Sequence, residues 1–157
     1  MSEAIVAREI RITRVYDAPR EQVWRAWTEP AQLARWWGKR GWTTPLPSVT
    51  MDVRPGGAFR LNSISDADGR EMPMEATYRE VVEPERLVFG QAEGQIATVT
   101  FADLGDGRTE MTFHTTMRAN EELRARAEGG LSSAFERLAE QLAPQTGRPR
   151  PQDQERP

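Results

Sequence analysis

Only one stretch of this chain has the pattern of a long amphipathic helix, and it comes last. Leu123, Ala127, Gly130, Leu131, Ala134, Phe135, Leu138 and Leu142 recur at helical spacing. Asn120 is well suited to cap its start, and Glu121 and Glu122 sit where the helix dipole favours acids. Pro144 ends it. Gly129 and Gly130 interrupt the pattern. Each glycine weakens a helix by about 1 kcal/mol against alanine, so a bend or a frayed turn is expected there.

Most of what precedes this helix alternates with period two, the signature of half-buried strands. Residues 8–16 place Ile10 and Ile12 on one face, with Arg14 following them. Val49, Met51 and Val53 alternate with polar neighbours, and Pro55-Gly56-Gly57 then turns the chain into a return strand bearing Phe59 and Leu61. Asp68-Gly69 marks another hairpin. Met74, Ala76 and Tyr78 share a face of the next strand, and a short strand spans Arg86 to Phe89. Ala97, Val99 and Phe101 pattern one further strand, and Met111, Phe113, Thr115 and Met117 the last. Hairpin-joined strands give an antiparallel sheet, and the final helix carries the long apolar stripe available to cover it. The expected fold is therefore α+β, with a single domain over residues 8–143. Residues 1–7 form an N-terminal arm. Residues 144–157, PQTGRPRPQDQERP, have no apolar side chains to bury and are expected to be disordered.

Between the first two strands lies the most unusual segment. All five tryptophans of the chain fall between Trp24 and Trp42. Pro19 fits the first position of a short helix with Val23, Trp24 and Trp27 on one side. A second short helix carries Leu33, Trp36 and Trp37. Helical spacing makes Trp24, Trp27 and Trp36 core residues. Trp37 and Trp42, at a helix end and in a loop, are the pair expected at the lining or mouth of a pocket.

Composition removes several classes of function. The net charge is −3, with 21 basic and 24 acidic residues interspersed, so the basic footprint of a nucleic-acid binder is missing. No apolar run is long enough to span a bilayer, and MSEAIVAREI does not have the makeup of a signal peptide. With no cysteine and a single histidine, thiolate chemistry and multi-histidine metal sites are excluded. No cofactor, metal or membrane partner is expected, and the cytoplasm is the expected compartment. Monomer and homodimer both fit.

The segments YDAPREQVWRAWTEPAQLARWW, VRPGGAF at Val53 to Phe59, YREVVEPERLVF at Tyr78 to Phe89 and LSSAFERLAEQL resemble, in order and spacing, one known family. It is the domain named for activators of the heat-shock protein 90 ATPase, within the START and birch-pollen-allergen superfamily of helix-grip folds (SRPBCC). The resemblance covers about Arg8 to Leu142. It implies a curved antiparallel sheet of six to seven strands gripping the C-terminal helix, two short helices after the first strand, and a cavity between sheet and helix. Many members carry a Gly-Trp pair in the last helix. Here Leu131 follows the glycine, which implies a wider or differently shaped cavity. The eukaryotic activators have a further N-terminal domain, for which this chain is too short.

Three functions are in play. The first is non-catalytic binding of a small hydrophobic or aromatic ligand, with Trp37, Trp42, Phe59, Met74, Tyr78, Phe101, Met111, Phe113, Leu131 and Phe135 as the cavity wall. The second is a chaperone-regulating protein–protein module. The third is a cyclase- or hydrolase-type enzyme using the same cavity, for which Tyr78 is the inward polar candidate. His114 has the parity opposite to Met111 and Phe113, so it is expected on the outer face and out of reach of an interior substrate. Asp66 and Asp68 read as turn residues, and Arg54-Pro55-Gly56-Gly57 lacks the lysine and helix of a phosphate loop.

Overall fold

The computed structural model describes residues 4–91 and 95–143. The tail expected beyond residue 143 and the first three residues of the arm lie outside these. The sheet has eight strands: β1 (Val6–Tyr16), β2 (Trp42–Thr43), β3 (Thr50–Met51), β4 (Ala58–Ser65), β5 (Glu71–Val82), β6 (Arg86–Gly90), β7 (Ile96–Gly105) and β8 (Arg108–Ala119). Three α-helices, α1 (Arg20–Thr28), α2 (Pro30–Trp36) and α3 (Glu121–Leu142), and a single 3-10 turn at Leu46–Ser48 complete the described elements. The strand order is β1-β8-β7-β6-β5-β4-β2, with β3 paired to β4 off this path, and each pairing is antiparallel. The fold is the expected α+β architecture. The strand beyond the expected six to seven is the two-residue β2; the expected strand over Val49–Val53 is reduced to the two-residue β3.

Alternation sets the inner face. Ile10 and Ile12 on β1 face Thr115 and Phe113 on β8, which face Ala97 and Val99 on β7. Leu87 and Phe89 continue the row on β6, and Tyr78 stands opposite Phe89 on β5. Ile10, Ile12, Val99, Phe113, Leu87, Phe89 and Tyr78 are all buried. Helix α3 packs chiefly on β1 and on α2, with further contacts to β8 and α1. Its buried stripe is Ala134, Phe135, Leu138 and Leu142.

Local chemistry explains most boundaries and three departures from the sequence pattern. Pro19 is the residue before α1 and not its first, because its ψ of 154° keeps it extended. Trp37 likewise leaves α2 with ψ of 134°, which takes its ring off the helix face. Of the alternating Val49–Val53 segment, only Thr50–Met51 pairs. The chain turns back at once, with Arg54 N–H donating to Asp52 O and Gly57 N–H to Arg54 O. A side chain at residue 57 would lie 1.9 Å from Asp52 O, so this turn requires glycine.

Helix α3 is unbroken from Glu121 to Leu142, so the fray expected at Gly129-Gly130 does not occur. Asn120 accepts from Leu123 N–H, and Arg124 pairs with both Glu121 and Glu128 ahead of the glycines. The buried stripe anchors the helix after them. These contacts outweigh the glycine penalty, because tertiary packing supplies most helical stability.

Two substitutions test this account of the fold. In urea unfolding, Trp36→Ala should cost about 3–5 kcal/mol, the range for a buried large aromatic cut to alanine. Asn120→Ala should cost about 1 kcal/mol through loss of the cap. A Trp36→Ala variant as stable as the parent would contradict the assignment of this ring to the core.

Candidate functional site

The inner face at the β4–β6 end is built of aromatic rings. Phe59 stacks on Tyr78 with centroids 5.3 Å apart and an interplanar angle of 5°. Phe89 meets both, at 5.2 Å from Phe59 and 6.4 Å from Tyr78. From the helices, Trp27 lies 6.3 Å from Phe89 and 6.1 Å from Trp37, and Trp37 lies 5.6 Å from Phe59. Trp27, Trp37, Phe59, Tyr78 and Phe89 thus form one closed ring of contacts drawn from α1, the end of α2, β4, β5 and β6. Edge-on and offset arrangements dominate, as the ring quadrupoles favour.

Solvent reaches one side of this assembly. Trp37, Met51, Val53, Met74, Ala76 and Leu131 are half-buried and packed against the core. Met51 pairs with Phe59, Ala76 also stands opposite Phe59, and Met74 faces Leu61. Met117 on β8 and Ala127 on α3 are half-buried too, so the apolar inner face is closed by the C-terminal half of α3, from Ala134 to Leu142, and left partly open over β3, β4 and β5 and beside the first half of that helix.

The ten residues expected to form a wall divide into three groups. Phe59, Tyr78, Phe101, Met111, Phe113 and Phe135 are buried in the core. Trp37, Met74 and Leu131 are half-buried beside it. Trp42 sits on β2 opposite Ser65, with the Arg70 guanidinium 5.8 Å over its ring. A shallow groove of about 380 Å³ occupies the β4–β6 region, lined by Ala58, Arg60, Glu75, Ala76, Thr77, Gly90 and Gln91. None of the ten lines it. Arg60, Glu75 and Thr77 alternate with Phe59 and Tyr78, which sets the polar side of the groove on the outer face of the sheet, while Ala76 of its lining also packs on the core.

Polar groups in the interior are few. Tyr16 O–H donates to Phe135 O at 3.2 Å, and Trp36 Nε1–H to Ala26 O at 2.9 Å. Tyr78 O–H and Trp27 Nε1–H are buried without a protein partner. Burial pushes the hydroxyls of both Tyr16 and Tyr78 well above the ordinary tyrosine range. Both therefore stay protonated, as hydrogen-bond donors, at any physiological pH.

One residue that sequence reasoning missed fixes the mouth. Arg137 of α3 donates from Nη1 to Gly38 O at 2.8 Å and to Trp37 O and Trp42 O at 3.3 Å. Its Nη2 donates to Arg35 O at 3.0 Å. A guanidinium at the C-terminus of α2 satisfies carbonyls the helix leaves open and complements its dipole. Beside it, Arg40 N–H donates to Ser133 Oγ, and Arg40 pairs with Glu140. Phe89 and Met51 also belong to this region and were absent from the expected wall. The strand pairing of Phe89 to Tyr78 could have found the first; no local signal marks Arg137.

His114 points outward as its parity requires, between Arg11 and Thr98 across the strands. Its Nε2 lies 3.0 Å from Glu9 Oε2 and holds that carboxyl below the usual range. Among the described residues, no group of three or more His, Asp or Glu is arranged to hold a metal, and no helix is long and apolar enough to cross a membrane.

Comparison with known proteins places this geometry in a family. The family described as "Activator of Hsp90 ATPase homolog 1-like protein" matches residues 17–143. No curated protein matches the sequence. Among solved structures, a protein of Chromobacterium violaceum is 27% identical with a TM-score of 0.75, covering 87% of this chain and 99% of its own. A protein of Arthrobacter aurescens is 25% identical with a TM-score of 0.72, covering 86% of each. The AHSA1 protein of Silicibacter pomeroyi, 18% identical with a TM-score of 0.74 over 87% of this chain and 98% of its own, shares the fold.

The polar contacts yield two expected outcomes. Arg137→Met should release the 35–42 segment: amide hydrogen exchange at Gly38 to Trp42 should speed up, and stability should fall by about 1.5–3 kcal/mol, the range for hydrogen bonds to a charged group. Unchanged exchange there would show that Arg137 does not hold the loop. The chain has only two tyrosines, Tyr16 and Tyr78. An absorbance titration at 295 nm should show neither ionising near pH 10, where a free tyrosine is half ionised. The unfolded chain loses these protons first, so stability is intact below about pH 10 and declines as pH rises beyond it. A full phenolate step near pH 10 with the fold intact would contradict the burial of both.

Proposed function

This chain belongs to the activator of Hsp90 ATPase homolog 1-like family, and on that premise we propose that it binds a small, largely apolar molecule without transforming it. The ligand enters over β3, β4 and β5 and rests on the aromatic inner face. The observation that carries this reading is the half-open apolar border of Trp37, Met51, Val53, Met74, Ala76 and Leu131, continuous with the buried rings of Phe59, Tyr78 and Phe89. Aromatic and methionine side chains suit such a surface, since they give large contact areas and adapt to varied shapes. Catalysis is disfavoured by the outward placement of His114 and by the burial of Tyr78, which keeps its hydroxyl protonated and so unavailable as a base. The family's description also names a chaperone ATPase, and the same assays separate that reading.

The tryptophans supply the probe, because all five lie between Trp24 and Trp42. Titration with a panel of neutral aromatic compounds should give saturable quenching or a blue shift for some members. Trp37→Ala should weaken that binding about tenfold, the equivalent of roughly 1.4 kcal/mol, and cost less stability than Trp36→Ala. A flat response across the panel, with a changed ATPase rate when the chain is added to a purified chaperone, would replace ligand binding by the chaperone reading.

A further inference from the structure

The buried aromatic donors of this core divide in a way that points to the chemistry of the ligand. Tyr16 and Trp36 are deeply buried and each reaches a backbone carbonyl. Trp27 and Tyr78 are just as buried, each 1% exposed, yet Trp27 Nε1–H and Tyr78 O–H have no protein acceptor. A buried donor without a partner forfeits the hydrogen bonds that water gave it, so its retention calls for an explanation. The other unpartnered buried atoms, on Arg20, Asn62 and Gln141, belong to residues that are partly exposed. The two deeply buried orphans also share a location. Trp27 touches Trp37 and Phe89 on one side and Trp36, Phe101 and Phe135 on the other, and Tyr78 stacks on Phe59 and touches Phe89. Both belong to the aromatic ring of contacts whose half-open member is Trp37.

Resting on the binding reading above, we propose that the ligand is an uncharged, flat aromatic or conjugated molecule carrying a carbonyl-type oxygen, which accepts from Tyr78 O–H, from Trp27 Nε1–H, or from both. Flatness follows from the aromatic faces that meet it. An acceptor follows from the two groups, since indole N–H donates only and the protonated phenol has its O–H to give. Neutrality follows from the lining. Among the described residues the buried polar ones are Thr44, Ser63, Ser65, Thr109 and Thr115, none of them charged. An anion there would be stripped of water with no buried counter-ion, because the cation at the mouth, Arg137, already donates to the carbonyls of Arg35, Trp37, Gly38 and Trp42. Buried donors of this kind discriminate strongly, because a ligand lacking the acceptor leaves them unpaired.

The test uses the full chain and three probes of similar shape: 2-acetylnaphthalene, 2-isopropylnaphthalene and 2-naphthoate. The ketone should bind about tenfold more tightly than the hydrocarbon, the equivalent of about 1.4 kcal/mol, and more tightly than the carboxylate. Its carbonyl stretch in the infrared should move to lower frequency when bound. Tyr78→Phe removes only the hydroxyl and should erase part or all of the preference while leaving hydrocarbon affinity in place. Trp27→Phe should do the same for the indole. If Trp27→Phe fails to fold, Tyr78→Phe and the infrared shift decide the matter. Equal binding of ketone and hydrocarbon with an unshifted carbonyl band would overturn the donor assignment and leave apolar binding standing. Preference for the carboxylate would overturn neutrality. Absence of binding by all three would overturn this proposal and count against the binding reading with it.

Discussion

The packing of Trp27 is the contact on which the rest of the structure depends. Its ring lies 4.8 Å from Trp36, 6.1 Å from Trp37, 6.3 Å from Phe89, 6.4 Å from Phe101 and 6.2 Å from Phe135. Those five partners come from α2, its C-terminal cap, β6, β7 and α3. One side chain thus ties both short helices to the sheet and to the long helix. Rings of this size bury 150–250 Å² each, which is why a segment of fewer than twenty residues can close one end of an eight-stranded sheet. The demand that Trp36 satisfy its own N–H on Ala26 O then fixes how α2 crosses α1.

Much of this was legible in the sequence, because it rests on local periodicity. Alternation put Ile10, Ile12, Val99, Phe101, Met111 and Phe113 on one face and His114 on the other, and the register agrees. Helical spacing separated Trp24, Trp27 and Trp36, which are buried, from Trp37, which is half-open. Asn120 announced the start of α3. What periodicity could not supply was anything set by contacts distant in sequence. Arg137 lies between the buried positions Ala134 and Leu138 and looks like any solvated helix residue, until folding brings the carbonyls of Arg35, Trp37, Gly38 and Trp42 around it. The glycine pair in α3 misled for the same reason. Propensity is a weak term, and the anchors on either side of the pair outweigh it. The candidate wall was legible as a set of apolar inner-face residues, but its division into core and border was not.

That division carries the functional argument. The part of the sheet under Ala134 to Leu142 of α3 is closed and behaves as an ordinary core. The β3–β5 end is bordered by half-open apolar side chains and by a loop that Arg137, Ser133 and Glu140 hold onto α3. Rigid interior and tethered border are what a binding site needs, since a preorganised surface spends little of its interaction energy on ordering itself. The two orphan donors belong to the aromatic ring of contacts that includes Trp37, whereas the two satisfied ones are paired to backbone carbonyls of α1 and α3.

The indole N–H groups give the most direct readout of the central claim, that the aromatic inner face beside Trp37 receives a ligand. In a ¹⁵N–¹H spectrum, five tryptophans give five indole signals. On addition of 2-acetylnaphthalene, the Trp27 indole signal should move downfield as its N–H gains an acceptor, and that of Trp37 should shift with it. The Trp42 signal, beneath Arg70 on β2, should stay in place. Movement confined to Trp42, or to backbone signals around the outer groove of Arg60 and Glu75, with Trp27 and Trp37 unmoved, would contradict the account.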